Sequence, residues 1–156
     1  MMHPIRVFLV DDHQIFLEAL AGLIDRHPFM KIVGMAREGA SALKQIRALQ
    51  PDIVLMDISI PNFDGIEATR IITKTIPKSA IIILSMHDET HFLIRALEAG
   101  AMAYLVKDSP ADELLLAIEM ANEGISYISP AILRKLTLNY LSTQKRKRSK
   151  LVPTLT

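Results

Sequence analysis

Cysteine is absent from the 156 residues. That excludes a disulfide framework and any metal held by thiolates, and it fits a reducing compartment. Also missing is an apolar run approaching the roughly eighteen residues of a membrane-spanning helix, so no membrane partner is expected. The opening stretch MMHPIRVFLVDD has a short apolar run, no small-residue cleavage site and two acids at its end. It does not read as a secretory signal, and a cytoplasmic location is expected. Neither charge is in excess, since 18 Lys and Arg face 17 Asp and Glu for a formal net charge of +1. That balance neither favours nor excludes nucleic acid as a partner. What the chain has in quantity is apolar residues, at 50%, which argues for a packed core rather than disorder. The length suits one domain, with room for an appendage.

Five apolar runs recur: IRVFLV (5–10), KIVGMA (31–36), IVLMD (53–57), AIIILS (80–85) and AYLVK (103–107). They are nearly continuous rather than alternating, as strands buried on both faces of a parallel sheet should be. Segments of helical character separate them. Over 14–26, Ile15, Phe16, Ala19, Leu20, Leu23 and Ile24 give one helix face. Asp64 with Glu67 reads as a helix start after PNFDG. Gly100 suits the end of a helix carrying Phe92, Ala96 and Ala99. Ser109 as N-cap with Pro110 in the first turn opens another, whose apolar face is Leu114, Leu115, Ala117, Ile118 and Ala121 and which stops at Gly124. Strand and helix thus alternate five times, implying an α/β fold with a doubly wound five-stranded parallel sheet. Past Gly124 the pattern changes. One more helix is expected from Ser129 to about Thr143, with a stripe of Ile132, Leu133, Leu136, Tyr140 and Leu141. KRKRSK (145–150) then reads first as a solvated linker and second as a run that could touch DNA phosphates.

The runs stop on polar residues. Asp11, Asp12, Asp57, Ser85 and Lys107 all fall at strand C-terminal ends, where sheets of this kind keep their ligand crevice. Three carboxylates within about 5 Å would cost on the order of 3 kcal/mol per ionised pair at an effective dielectric near 20. A hard divalent cation such as Mg²⁺ relieves that repulsion through oxygen ligands and leaves room for a phosphate. One Asp could then act as a nucleophile towards phosphorus, with the Lys107 ammonium and Ser85 hydroxyl contacting phosphoryl oxygens. The five histidines show no metal-ligand spacing; His13, His87 and His91 read as polar loop or helix-start residues, and Met56 and Met86 as core filler.

With VDDHQ, PDIVLMDISIPNFDG, LSMHD and AYLVKD, residues 4–124 resemble the receiver domain of bacterial two-component response regulators, the CheY-like fold. The resemblance implies a flavodoxin-like sheet of order 2-1-3-4-5 and a receiver over 1–124. It implies Asp57 as phospho-acceptor, Asp11 and Asp12 as Mg²⁺ ligands together with Asp57 and the backbone carbonyl of Ser59, and Lys107 on the phosphoryl group. Ser85 and Tyr104 would be the switch pair, and Ser59 and His87 the positions that influence phosphate lifetime. Two departures stand out: Asp108 follows the lysine where many receivers have a cis proline, and Ile60 stands where Met commonly precedes the proline. LVKDSPADELLLAI and GISYISPAILRKL resemble the NarL/FixJ group, whose output is a LuxR-type helix-turn-helix that opens near a Leu-Thr pair such as Leu155-Thr156. Residues 125–156 would then be a helical extension and linker towards a DNA-binding domain absent from this chain. The expected partners are a sensor histidine kinase, a second copy on phosphorylation, and DNA only through that missing domain.

Three other readings compete. A phosphatase with an aspartyl nucleophile would want a second acid two residues on, where this chain has Ser59; the resemblance instead implies no enzyme beyond self-catalysed transfer to Asp57 and its hydrolysis. A flavodoxin-like cofactor module would offer amides and hydroxyls to a phosphate in its first loop, whereas Asp11 and Asp12 repel an anion. A stand-alone receiver acting by protein contact is the third.

Overall fold

In the computed structural model, which describes residues 3–86 and 90–151, strands and helices alternate from the first turn to the last. The strands are β1 (Ile5–Val10), β2 (Met30–Ala36), β3 (Ile53–Asp57), β4 (Ala80–Ser85), β5 (Ala103–Val106) and β6 (Tyr127–Ile128). The helices are α1 (Gln14–Asp25), α2 (Gly39–Leu49), α3 (Gly65–Thr75), α4 (Thr90–Glu98), α5 (Ala111–Asn122) and α6 (Pro130–Leu151). His87 and the Leu155-Thr156 pair lie outside the described residues.

All pairings are parallel, in the order β2-β1-β3-β4-β5-β6. The expected order 2-1-3-4-5 holds, but the expected five strands become six. The sixth is two residues long, pairing Ala103 with Tyr127 and Tyr104 with Ile128. A run that short carries no periodicity of its own; it forms because the chain leaving α5 at Gly124 passes along the open edge of β5.

Strand alternation explains the continuous apolar runs. Phe8, Val10, Val54, Met56, Ile81, Ile83 and Tyr104 face one layer, with Ala42 and Ile46 of α2, Ile72 of α3, Leu93 of α4 and Ile132 of α6. Val7, Leu9, Ile53, Leu55, Ile82, Leu84 and Leu105 face the other, with Leu17, Leu20 and Ile24 of α1 and Leu114, Ala117 and Ile118 of α5. Both faces of each central strand are dry, so neither parity can be polar.

Several local expectations need correction. α1 buries Leu17, Leu20 and Ile24, while Ile15 is 84% exposed and Ala19 is also out; the helix presents the i, i+3, i+7 line through Leu17, which lies about 160° around the axis from Ile15. Pro110, not Ser109, takes the N-cap position of α5, and its carbonyl accepts from the Glu113 and Leu114 amides. Asp64 caps α3 as expected, its Oδ1 accepting from Ile66 and Glu67 at 3.0 Å each, but the Glu67 side chain turns to Arg70. Gly100 (φ +105°) and Gly124 (φ +77°) sit in the left-handed region just past their helices, as helix-ending glycines do.

The largest correction concerns the tail. α6 does not stop near Thr143: KRKRSK continues the helix to Leu151, exposed as a solvated segment should be. Lys and Arg are good helix formers, and cations are favoured in a last turn. Of its expected stripe only Ile132 is buried and Leu136 half-buried; Leu133, Tyr140 and Leu141 are exposed. No helix of the described residues is long and apolar enough to cross a membrane.

Candidate functional site

The strand order reverses between β1 and β3, and in such sheets the crevice lies at the carboxyl ends of the strands flanking that point. Asp11 and Asp12 follow β1, and Asp57 is the last residue of β3. One ligand atom from each of Asp11, Asp12, His13 and Asp57 lies within 4.8 Å of the others. The three acids expected to converge therefore do. They are less open than an edge position suggests: Asp57 is fully buried and Asp11 is 1% exposed, with Asp12 half-buried.

Lys107, one residue past β5, compensates this charge. Its ammonium lies 2.7 Å from Asp11 Oδ2 and 3.0 Å from Asp57 Oδ2, and its side chain is only 7% exposed. The other oxygen of Asp57 accepts the Ser59 amide at 2.9 Å. Asp11 Oδ1 accepts the His13 amide at 2.9 Å. Phe16, from the first turn of α1, lies under the ammonium at 4.7 Å from the ring centroid, close enough for a cation–π contact. Burial is the largest influence on Asp57 and pushes its carboxyl above the usual carboxylate range. The Ser59 amide and Lys107 oppose that push, and the Asp11 charge adds to it. Burial acts to lower the Lys107 ammonium, but its bonds to Asp11 and Asp57 prevail and hold it above the ordinary lysine value.

The donor set fits a hard divalent cation. Asp11 Oδ2 and Asp12 Oδ1 are sealed from solvent, and no amide or hydroxyl donates to either among the described residues. The Lys107 ammonium lies 2.7 Å from the first and the His13 ring 3.1 Å from the second. Buried carboxylate oxygens that no neutral donor satisfies, grouped this closely, are what Mg²⁺ takes as ligands. Ser59 is exposed beside them.

Ser85 ends β4 and is buried, and its carbonyl accepts the Lys107 amide at 2.8 Å, which ties the end of β4 to the residue that carries the ammonium. Tyr104 is fully buried. Its carbonyl accepts the Ser129 amide at 2.9 Å, tying β5 to the start of α6. No cis peptide bond occurs among the described residues, so the bond between Lys107 and Asp108 is trans.

Three neighbours escaped the sequence reading. His13, taken as a polar loop residue, has its ring 3.1 Å from both Asp11 and Asp12. Phe16 was read only as core. Arg37, in the loop after β2, donates to the Asp12 carbonyl at 3.0 and 3.3 Å. The one available signal was position: each lies within a few residues of a strand end bordering the crevice.

Residues 7–119 match the family model described as the response regulator receiver domain. The transcriptional regulatory protein DegU of Brevibacillus brevis is 32% identical over 138 residues, covering 88% of this chain and 58% of its own length. The response regulator GacA of Pseudomonas viridiflava is 35% identical over 140 residues, covering 90% and 65%. The chain therefore spans about three fifths of the length of these relatives. A solved two-component response regulator of the LuxR family from Aurantimonas sp. SI85-9A1 superposes with a TM-score of 0.83 at 38% identity, over 88% of this chain and 99% of that one. The signal receiver domain of NarL from Mycobacterium tuberculosis gives 0.74 at 31% identity, over 78% and 98%.

Proposed function

Since the chain belongs to the response regulator receiver family, we propose that it is a phosphorylation-controlled switch in which Asp57 accepts a phosphoryl group from a sensor histidine kinase. The observation that carries the assignment is the contact of one buried ammonium, Lys107, with both Asp57 and Asp11. An oxygen of Asp57 attacks phosphorus as the P–N bond of the donor phosphohistidine breaks, and the bonding pair returns to the departing imidazole. The product is an acyl phosphate on Asp57. Through the transfer the Ser59 amide steadies the carboxyl group, and Lys107 shifts its contact from the carboxylate to a phosphoryl oxygen, a charge-assisted bond. Asp11, Asp12 and Asp57, with the Ser59 carbonyl, would hold Mg²⁺. When bound it offsets the negative charge that donor and carboxylates bring together. The activity is confined to the chain's own aspartate and to hydrolysis of the phosphate it carries.

A protein donor suits the surroundings. Ile15 (84% exposed) and Met86 (54% exposed) rim a groove with Phe16, Lys107 and Asp108 beside the acids. A small phosphodonor would need no such apolar rim.

The output runs through β5. The Ser85 hydroxyl closes on the phosphoryl group and Tyr104 repacks. The Tyr104 carbonyl bonds Ser129, and Ile132 shares its core cluster, so the change reaches α6. Residues 1–124 form the receiver. Residues 125–156 lead to a helix-turn-helix output domain in the whole regulator, which pairs with a second copy on phosphorylation and controls transcription. Intact-mass spectrometry with Mg²⁺ and a small phosphodonor tests the acceptor: one phosphoryl mass is expected on the native chain and none on Asp57→Asn. Undiminished labelling of that variant would sink the assignment.

A further inference from the structure

Acids and bases are not distributed alike along the chain. All 17 acids lie before residue 130, where they face 11 Lys and Arg, so 11 − 17 leaves a net −6 for residues 1–129. From Pro130 to Leu151, α6 carries Arg134, Lys135, Lys145, Arg146, Lys147, Arg148 and Lys150 and no acid, a net +7. The overall +1 conceals an acidic body joined to a strongly basic helix.

Five of these cations lie between 145 and 150, all exposed and none in an ion pair among the described residues. Six helical residues rise about 9 Å, so the segment presents one positive charge per roughly 1.8 Å. Duplex DNA carries one negative charge per about 1.7 Å of axis. We propose that the last two turns of α6 bind the phosphate backbone of duplex DNA directly and without sequence preference. This departs from the expectation that DNA is reached only through an output domain, and it does not depend on the role of Asp57.

The arrangement disfavours other acidic surfaces. From Ser142 to Lys150 no side chain is apolar, and consecutive cations at 145–148 point to every side of the helix. A helix lying in a lipid interface needs an apolar face to bury there. Two copies pairing in parallel through this segment would set like charges against each other. A phosphate backbone, by contrast, is met from any side and requires no apolar contact.

Titration of the whole 156-residue chain against two labelled duplexes of unrelated sequence, read by fluorescence anisotropy from about 50 to 200 mM salt, tests the proposal. Equal affinities are expected, with log K falling against log salt at a slope between about −3 and −4.5 for three to five neutralised phosphates. Replacing Lys145, Arg146, Lys147, Arg148 and Lys150 together by Gln should abolish binding. Circular dichroism of the receiver and phosphorylation at Asp57 should stay unchanged. Lys74→Gln with Arg95→Gln on the body should bind as the native chain does. No binding near 50 mM salt, equal binding by the five-Gln variant, capture by anionic vesicles instead of DNA, or low-salt self-association with no DNA binding would each overturn it.

Discussion

Replacing Lys107 by Met removes the ammonium and keeps most of its stem, so it isolates charge from packing. In the native protein that ammonium sits 2.7 Å from Asp11 Oδ2 and 3.0 Å from Asp57 Oδ2, with the three side chains 7%, 2% and 0% exposed. Removing one partner of a buried ion pair costs about 3–5 kcal/mol. Here one cation serves two anions whose oxygens lie within 4.8 Å, a repulsion of about 3.5 kcal/mol at an effective dielectric near 20. Protonation of Asp57, already pushed upwards, limits the loss. Urea denaturation near neutral pH in EDTA should therefore show Lys107→Met less stable by about 3–5 kcal/mol, a large share of a domain's usual 5–15 kcal/mol. Two further measurements fix the cause. Asp57→Asn should be as stable as the native chain or more so, and combined with Lys107→Met it should recover at least half of the loss. Saturating Mg²⁺ should stabilise Lys107→Met more than it does the native chain, which would gain about 2.7 kcal/mol at a hundred times Kd. A Lys107→Met variant within 1 kcal/mol of native in EDTA, or one whose deficit Mg²⁺ leaves unchanged, would refute the reasoning.

Other outcomes follow from the same geometry. Asp12→Ala should weaken Mg²⁺ binding at least tenfold in calorimetric titration, with little change in stability in EDTA because Asp12 is half-buried; native affinity would count against its ligand role. Tyr127 donates to Glu113 at 3.0 Å, and burial first, then Glu113, raises its phenol above the ordinary tyrosine value. The stability this contributes is fully present below that ordinary value and is lost as pH rises through the higher folded value. Tyr127→Phe should thus cost about 1 kcal/mol at neutral pH and flatten the alkaline limb of a pH–stability profile. Ile132→Ala should cost about 2–4 kcal/mol in denaturant unfolding, since Ile132 is fully buried, alone among the described side chains of α6. Asp64→Ala should cost about 1 kcal/mol by removing both cap bonds to the Ile66 and Glu67 amides.

Much of this is legible in the sequence. IVLMD and AIIILS match β3 and β4 residue for residue, because a strand dry on both faces has no polar position to blur its ends. The position of the candidate site was legible for a related reason: where the apolar run stops, the sheet stops, and Asp57 and Ser85 mark those stops. What escaped was set by tertiary contact. β6 is two residues long and exists only as an addition to the edge of β5. α1 offered two overlapping apolar stripes, and only packing against the sheet selects Leu17 over Ile15. KRKRSK has the composition of a solvated linker and the propensity of a helix, and with no glycine or proline from Ala131 to Leu151 the propensity prevailed. His13 and Arg37 gave no spacing signal, since each meets the acids through loop geometry.

Asp11, Asp12 and Asp57 share one crevice, so the location of the phosphoryl group is the sharpest question. Reducing the labelled chain with borohydride converts an aspartyl phosphate to homoserine, and peptide mapping then reads the position. Homoserine at position 57, only when Mg²⁺ and a phosphodonor were both present, is the result expected of a switch built on Asp57. Homoserine at position 11 or 12, or label that survives without an aspartyl linkage, would contradict it.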